Sequence, residues 1–361
     1  ITQAKEHGIR VKMLTGDNLA IAREISTQLG IGKNIVDARE ELNEGAHIEE
    51  IAEKMEQAEG FAQVFPENKY IAVKALQSKG HLVGMTGDGV NDAPALKQAD
   101  LGIAVSGATD AARSAASLVL TAPGLSVIIS AVEEARRIFE RMNSYAIYRI
   151  TETIRIMIFM VLAILIYNFY PITALMIILL ALLNDIPIMT IAYDHTILAK
   201  EPVKWDMKRV IFTASVLGLI DVMETFLLMT IAILWLQLPL EQLRSMIFLK
   251  LSVAGHLTLF IARTRHAFFL QPFPAPTLLI AIFGTQAIAA LIVGFGVFVT
   301  PLPWIYVGFV WIYCLVWMFI EDIAKLLLYH HLELSHTYHK RFIQFAKETF
   351  LPMFFRKNHQ K

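Results

Sequence analysis

The sequence predicts an α/β domain with a parallel sheet, joined to an all-α bundle of six transmembrane helices. Three observations carry that expectation. Over residues 9–120 short apolar strands alternate with helical patterns, which makes a parallel sheet covered on both faces. Beyond residue 145 six apolar stretches follow, each near the ~20 residues that a bilayer requires. The 361 residues are 55% hydrophobic with a mean hydropathy of +0.52, too apolar for an ordinary soluble protein.

Charge divides the chain in the same place. Residues 1–142 hold 15 Lys and Arg against 20 Asp and Glu, and the remainder holds 17 against 12. The formal net charge of zero therefore hides an acidic first half and a basic second half. That balance offers no case for nucleic-acid binding. The single cysteine, Cys314, lies in an apolar run and excludes an intramolecular disulfide. No signal peptide is visible, and the chain opens inside a helical segment at 4–8. The amino-terminal part of a longer protein is expected to precede Ile1.

The first strand, 9–16, is buried and ends in Thr-Gly. Asp17 follows, and Leu19, Ile21, Ala22, Ile25 and Leu29 then repeat with a helical period until Gly30 and Gly32. The Glu-rich segment 39–60 reads as a surface helix with loops. A strand at 61–65 leads into a helix at 67–77, and a strand at 81–85 into the run GMTGDGVNDAPAL at 84–96. A helix at 93–99, a strand at 101–105, a helix at 110–116 and a strand at 117–120 complete the domain.

In such sheets chemistry sits at the carboxyl ends of the strands. Thr15, Asp88 and Asp92 fall at or just beyond such ends, and Lys69 follows the strand at 61–65 by a few residues. At 84–96 a strand breaks into a turn of Gly, Asp and Asn, with Asp92 as N-cap and Pro94 near the first turn of the next helix. Two carboxylates and several free N–H groups meet there, a setting in which magnesium is held beside a phosphate. Taken singly, Thr15 is a turn hydroxyl, Lys69 a solvated helix charge and Asp92 a cap. Their joint order argues for a site.

The runs MLTGD at 13–17, FPENK at 65–69 and TGDGVNDAPAL at 86–96 resemble the phosphorylation domain of P-type ATPases. These cation pumps pass through an aspartyl phosphate, and the domain is a haloacid-dehalogenase-like, Rossmann-like fold. The resemblance continues through Ala104-Val105 and Asp110-Ala111-Ala112. It implies that residues 1–124 are the carboxyl-terminal part of that domain. It also implies roles. Thr15, Gly16, Asp17 and Lys69 face the phosphoryl group of ATP, Asp88 and Asp92 serve Mg2+, and Asn91 orients metal, waters and phosphate. The family's nucleophile, the Asp of an Asp-Lys-Thr-Gly-Thr run, does not occur in the chain. The nucleotide-binding insertion and the actuator domain are absent too. The partner implied is a missing amino-terminal half that supplies all three together with the first membrane spans.

From Leu125 a helical pattern runs on toward the membrane, with Arg136, Arg137 and Arg141 on its polar part. Residues 125–145 are read as a linker helix continuous with the first span, ~60 Å long for ~40 residues; two helices broken near Asn143 are the alternative. The spans are placed at 146–167, 173–193, 210–236, 245–262, 276–299 and 303–328, within a membrane domain at 146–329. Arg136, Arg137, Arg141, Lys200, Lys204, Lys208, Arg209, Arg263 and Arg265 fall on one side, with the short basic, His-rich tail at 330–361. The turns near 169–171 and 300–303 are uncharged. The basic side is cytoplasmic, so both ends of the chain are expected inside. Trp205, Trp235 and Trp304 sit near span ends as interfacial anchors.

Ionisable residues inside spans are functional signals. Arg155 lies in the first span, and Asp185 lies midway along the second in Leu183-Asn184-Asp185-Ile186-Pro187. Pro187 has no N–H and crowds the carbonyl of Leu183, so the helix is expected to free carbonyls toward an ion or water. A structural Asp185–Arg155 salt bridge is the alternative. Asp221 and Glu224, Lys250 and His256, and Glu321 and Asp322 receive no role at this stage.

The whole chain resembles the carboxyl-terminal half of proton-exporting plasma-membrane P-type ATPases. Pro123 to Ala131, Thr153-Ile154-Arg155-Ile156, Leu183-Asn184-Asp185 and Met189-Thr190-Ile191 carry that match. Ile186-Pro187 stand where the plant pumps usually have Gly after Asn-Asp, and Glu152 is a carboxylate that the plant pattern lacks. The resemblance implies ATP-driven proton export across the plasma membrane, with Asp185, Arg155 and Asn184 on the proton path. A pump for another cation, such as Mg2+ or K+, and a non-catalytic membrane fragment are the alternatives.

Overall fold

The computed structural model describes residues 1–41, 47–199 and 205–349, with side chains as far as residue 332. Lys200, Lys204, part of the Glu-rich segment and the end of the tail lie outside the described residues. Two compact units are present, one over Ile1–Arg136 and one over Arg137–Ile197 and the helices that follow.

The first unit alternates helices and strands. In order these are α1 (Thr2–Glu6), β1 (Met13–Leu14), α2 (Leu19–Gln28), β2 (Ile35–Asp37), α3 (Ala38–Glu41), α4 (Ile48–Gln57), β3 (Gly60–Ala62) and α5 (Pro66–Ser78). Then come β4 (Gly84–Gly87), α6 (Ala93–Gln98), β5 (Leu101–Ala104), α7 (Asp110–Ala115) and β6 (Leu118–Val119). Helices α2 and α7 start where a polar side chain satisfies a free N–H group. Asn18 accepts from the Ile21 N–H at 3.0 Å, and Thr109 accepts from the Ala112 N–H.

The strands form two parallel three-stranded sheets, ordered β1-β3-β2 and β4-β5-β6, where the sequence predicts one. Among the described residues β1 pairs with β3 alone and β4 with β5 alone, so each is an edge strand. β2 is not anticipated, since three residues are too few to show a period. Phe61, Ile51, Met55 and Ala72 form the core of one half, and Met85, Leu96, Val73 and Ala104 that of the other.

The second unit is helical. α8 (Ser126–Tyr167) begins in the first unit and runs unbroken for 42 residues, so no break occurs at Asn143. It is followed by α9 (Ala174–Thr190), α10 (Met207–Leu234), α11 (Leu240–Ala262), α12 (Pro276–Phe295) and α13 (Trp304–Thr349). All six are long and apolar enough to cross a membrane. α11 is the axis of the bundle: Met246, Ile247, Phe248, Leu249 and Leu251 are buried with no exposed surface. Its neighbours bury only one side and leave residues such as Met157, Leu165, Ile178 and Met189 exposed, as lipid-facing or partner-facing side chains are. α12 ends at Gly296, whose φ of 73° is the left-handed conformation that glycine adopts without strain.

Candidate functional site

The carboxyl end of β4 organises the first unit's candidate residues. Gly87 closes the strand, and a Cβ there would stand 2.5 Å from Cβ of Asp92. Only a glycine lets the chain turn back so closely. Asp92, 4% exposed, then uses both oxygens. Oδ1 accepts from Lys69 Nζ at 2.6 Å, and Oδ2 accepts from the N–H groups of Asp88 and Gly89 at 3.1 and 3.3 Å. Burial works to raise the Asp92 carboxyl, but the Lys69 ammonium and the two N–H groups outweigh it and hold it below its ordinary value. Asp92 is thus ionised and fully engaged. Its side chain points back into the turn and does not cap α6.

Asp88 has the opposite setting. Its carbonyl accepts from the Thr109 N–H at 2.9 Å, which ties the turn to the start of α7, while the residue itself is exposed. Asn91 is exposed on the single 3-10 turn Val90–Asp92. Of the two carboxylates expected to serve a metal, Asp88 is the one free to ligate; the oxygens of Asp92 are taken by N–H donors.

The carboxyl end of β1 forms a second group. The Thr15 hydroxyl donates to Asp17 Oδ2 at 2.8 Å and accepts from the Asp17 N–H at 3.2 Å. The turn is pinned to the chain beyond β3, because the Gln63 N–H reaches the Asp17 carbonyl and the Val64 N–H reaches that of Thr15. Gly16 and Asp17 are exposed. The β3 segment then enters α5, whose first residue is Pro66, and Asn68 accepts from the Phe65 N–H at 2.9 Å. That entry aims Lys69 at Asp92.

In the second unit the structure separates residues that the sequence brings together. Arg155 is completely buried and faces Asp221 at 3.5 Å, not Asp185. Asp185 has a side chain 52% exposed, and its nearest guanidinium is that of Arg149, also at 3.5 Å. The reason is helical geometry: Arg149 and Arg155 are six residues apart and point about 120° away from each other around α8. Asn184, one residue before Asp185, faces inward, and its amide donates to Glu152 Oε1 at 2.6 Å. Glu152 Oε2 accepts from Arg149 at 2.9 Å. Pro187 does free the Leu183 carbonyl, but His256 of α11 lies against it, Nε2 to O 3.2 Å, so that oxygen is met by a side chain. The group that sequence reasoning left without a role is the most buried: Asp221 and Glu224 of α10, Lys250 of α11 and Glu321 of α13 meet around Arg155. The i, i+3 spacing of Asp221 and Glu224 was the available signal.

Comparison with known proteins gives these placements a context. Residues 1–100 match the family model for haloacid dehalogenase-like hydrolases. A protein of Methanocaldococcus jannaschii named as a cation-transporting ATPase is 51% identical over 339 residues, covering 93% of this chain and 42% of that protein. Plasma membrane ATPase 2 of Saccharomyces cerevisiae is 42% identical over 302 residues, covering 82% of this chain and 32% of its own length. A protein of Leishmania donovani named as proton ATPase 1A is 38% identical over 377 residues, or 91% of this chain and 39% of that protein. The chain spans less than half the length of these relatives. With a haloacid-dehalogenase-like unit and six membrane helices in one chain, it is homologous to the carboxyl-terminal half of the P-type cation-transporting ATPases.

Proposed function

We propose that the chain is the carboxyl-terminal half of an ATP-driven proton exporter of the plasma membrane, working through an aspartyl phosphate on an Asp supplied by the amino-terminal half. The observation that carries this reading is the Lys69–Asp92 ion pair beside the free carboxylate of Asp88 at the end of β4. The donor set suits magnesium at Asp88, an exposed carboxylate at a strand end. When bound there, Mg2+ neutralises charge on the phosphoryl oxygens of ATP. Asp92 acts one step back, fixing Lys69 and the two N–H groups of the turn. Thr15, with Gly16 and Asp17 beside it, offers a hydroxyl and an N–H to a phosphoryl oxygen, and Lys69 a compact positive charge. Asn91 completes the group from the surface of the turn. The edge strands β1 and β4, one from each sheet, leave hydrogen-bonding positions for a strand of the amino-terminal half.

The working parts are residues 1–124, the linker 125–145, the membrane domain 146–329 and the tail 330–361, with both ends cytoplasmic. Asp185 carries the proton. A half-exposed carboxylate in an apolar span is costly against lipid, so the surface around it is read as covered by the amino-terminal spans. A lone carboxylate suits a proton better than calcium, which wants six or more oxygens. Arg149, which faces Asp185, takes the role of the neighbouring guanidinium, and Asn184 and Arg155 shape the inner wall. The M. jannaschii relative is named for cations only, which keeps Mg2+ or K+ as a second reading.

Vesicles containing the full-length protein test this. Asp185→Asn is expected to abolish acidification while some ATP hydrolysis persists, and Asp185→Glu to retain part of it. A wild-type pH gradient with Asp185→Asn would overturn the assignment and move it to Glu152. The 361-residue chain by itself, which has no Asp-Lys-Thr-Gly-Thr run, is expected to show no vanadate-sensitive ATPase.

A further inference from the structure

Three carboxylates converge in the middle of the second unit. Asp221, Glu224 and Glu321 are each no more than 3% exposed, and each contributes an oxygen to a cluster in which all lie within 4.8 Å of one another. Two cations face them. Lys250 Nζ is 2.9 Å from Glu224 Oε2 and 3.7 Å from Asp221 Oδ1, and Arg155 Nη1 is 3.5 Å from Asp221 Oδ2. A second, independent observation points to a ligand. Glu224 Oε1 and Asp221 Oδ1 are buried with no hydrogen-bond partner among the described residues.

The surroundings do not change that count. From α8, Glu152 pairs with Arg149 at 2.9 Å, and Tyr148 lies near Arg155. From α9 comes the Asn184 amide, while Asp185 is turned outward to Arg149. From α10, Thr225 accepts a hydrogen bond from Lys250 at 2.7 Å. From α11, His256 is bound to the Leu183 carbonyl. From α13, Tyr313 donates to the Glu224 carbonyl at 2.7 Å, and Cys314 lies near Lys250. Asp322 is paired with Lys325 at 2.6 Å. α12 carries no ionisable side chain. Two fixed positive charges therefore stand against the three acids of the cluster, while the Arg149 guanidinium is shared between Glu152 and the half-exposed Asp185. Like charges that close cannot all ionise, and an unmatched buried charge is not sustained.

We propose that Asp221, Glu224 and Glu321 form a binding site for one proton, held as a carboxylic acid whose O–H is shared with a neighbouring carboxylate oxygen. A divalent metal does not suit the place, because the Lys250 ammonium already occupies the approach and repels it, and calcium requires six or more oxygens. The inference uses neither the phosphoryl site nor Asp185. It stands or falls separately from the proton-export reading. The pair of cations sets the stoichiometry: remove one acid and the proton is no longer required, remove one cation and a second proton is.

Infrared spectroscopy of the chain in lipid nanodiscs at neutral pH reads protonated carboxyl groups directly by their C=O stretch. Glu321→Gln is expected to lose one carboxylic-acid equivalent relative to wild type without a fall in melting temperature. Lys250→Met is expected to gain one. Should Lys250→Met fail to fold, Glu224→Gln, which also removes one acid, should reproduce the Glu321→Gln spectrum. An unchanged acid band in Glu321→Gln would overturn the proposal. So would a wild-type chain whose melting temperature rises with added sodium and which shows no acid band, since the occupant would then be a metal cation.

Discussion

Asp92 and Asp88 are four residues apart and both acidic, yet their side chains are set to different work. Asp92 is spent on holding Lys69 and the turn, and Asp88 is left exposed. Asp92→Asn is therefore expected to destabilise the unit by about 1–3 kcal/mol, and Asp88→Asn to leave its melting temperature unchanged. In the full-length protein Asp88→Asn is expected to lower phosphoenzyme formation about 10²-fold or more, as loss of a group facing developing charge does. The sign with pH follows from the lowered Asp92 carboxyl. Its stabilisation is complete above the unfolded value of ~3.9 and is lost as pH falls through the lower folded value. The stability gap between wild type and Asp92→Asn should close in acid; melting curves across pH would show it, and a gap that widens in acid would refute it. The places of Thr15, Asp88, Asn91 and Asp92 beside strand ends, and of Lys69 early in α5, could be read from local motifs. The partner of Arg155 could not, because one helix's sequence says which way a side chain points but not which neighbouring helix it meets.

At the scale of elements, the alternation of strands and helices and the six spans could be read from period and composition. The strand ends were less readable. The first strand, expected over eight residues at 9–16, is Met13–Leu14 only, because β3 alone pairs with it. The expectation of one sheet failed for the same reason: pairing is a property of neighbours, and four of the six described strands have only one. Close helix contacts also escape a single sequence. Gly218 of α10 is one: a Cβ there would lie 2.8 Å from Ile154 Cγ2 and 3.1 Å from the Thr151 carbonyl of α8. Since the backbone oxygen cannot give way, Gly218→Ala is expected to force α10 off α8 and cost about 1–3 kcal/mol. Thermal unfolding in detergent would measure it, and an unchanged melting temperature would show that the contact is slack.

For the whole molecule, charge and hydropathy change together along the sequence, and the six long apolar helices lie on the more basic side of that change. How the spans share out their polar cargo could not be seen. Asp221, Glu224 and Lys250 sit well inside α10 and α11, which are joined by a turn of a few residues. An ionised Asp or Lys at the centre of a helix costs ~2.5–3.5 kcal/mol on entering the bilayer alone. Once Lys250 meets Glu224 at 2.9 Å, most of that cost is removed for both helices. During synthesis, then, α10 has reason to wait at the translocon until α11 emerges, and the two should enter the membrane as a hairpin. Glycosylation reporters placed after a chain cut in the α10–α11 turn would detect this. Lys250→Glu, which turns the attraction into repulsion, should leave the pair stranded at the translocon where the wild-type hairpin passes into lipid.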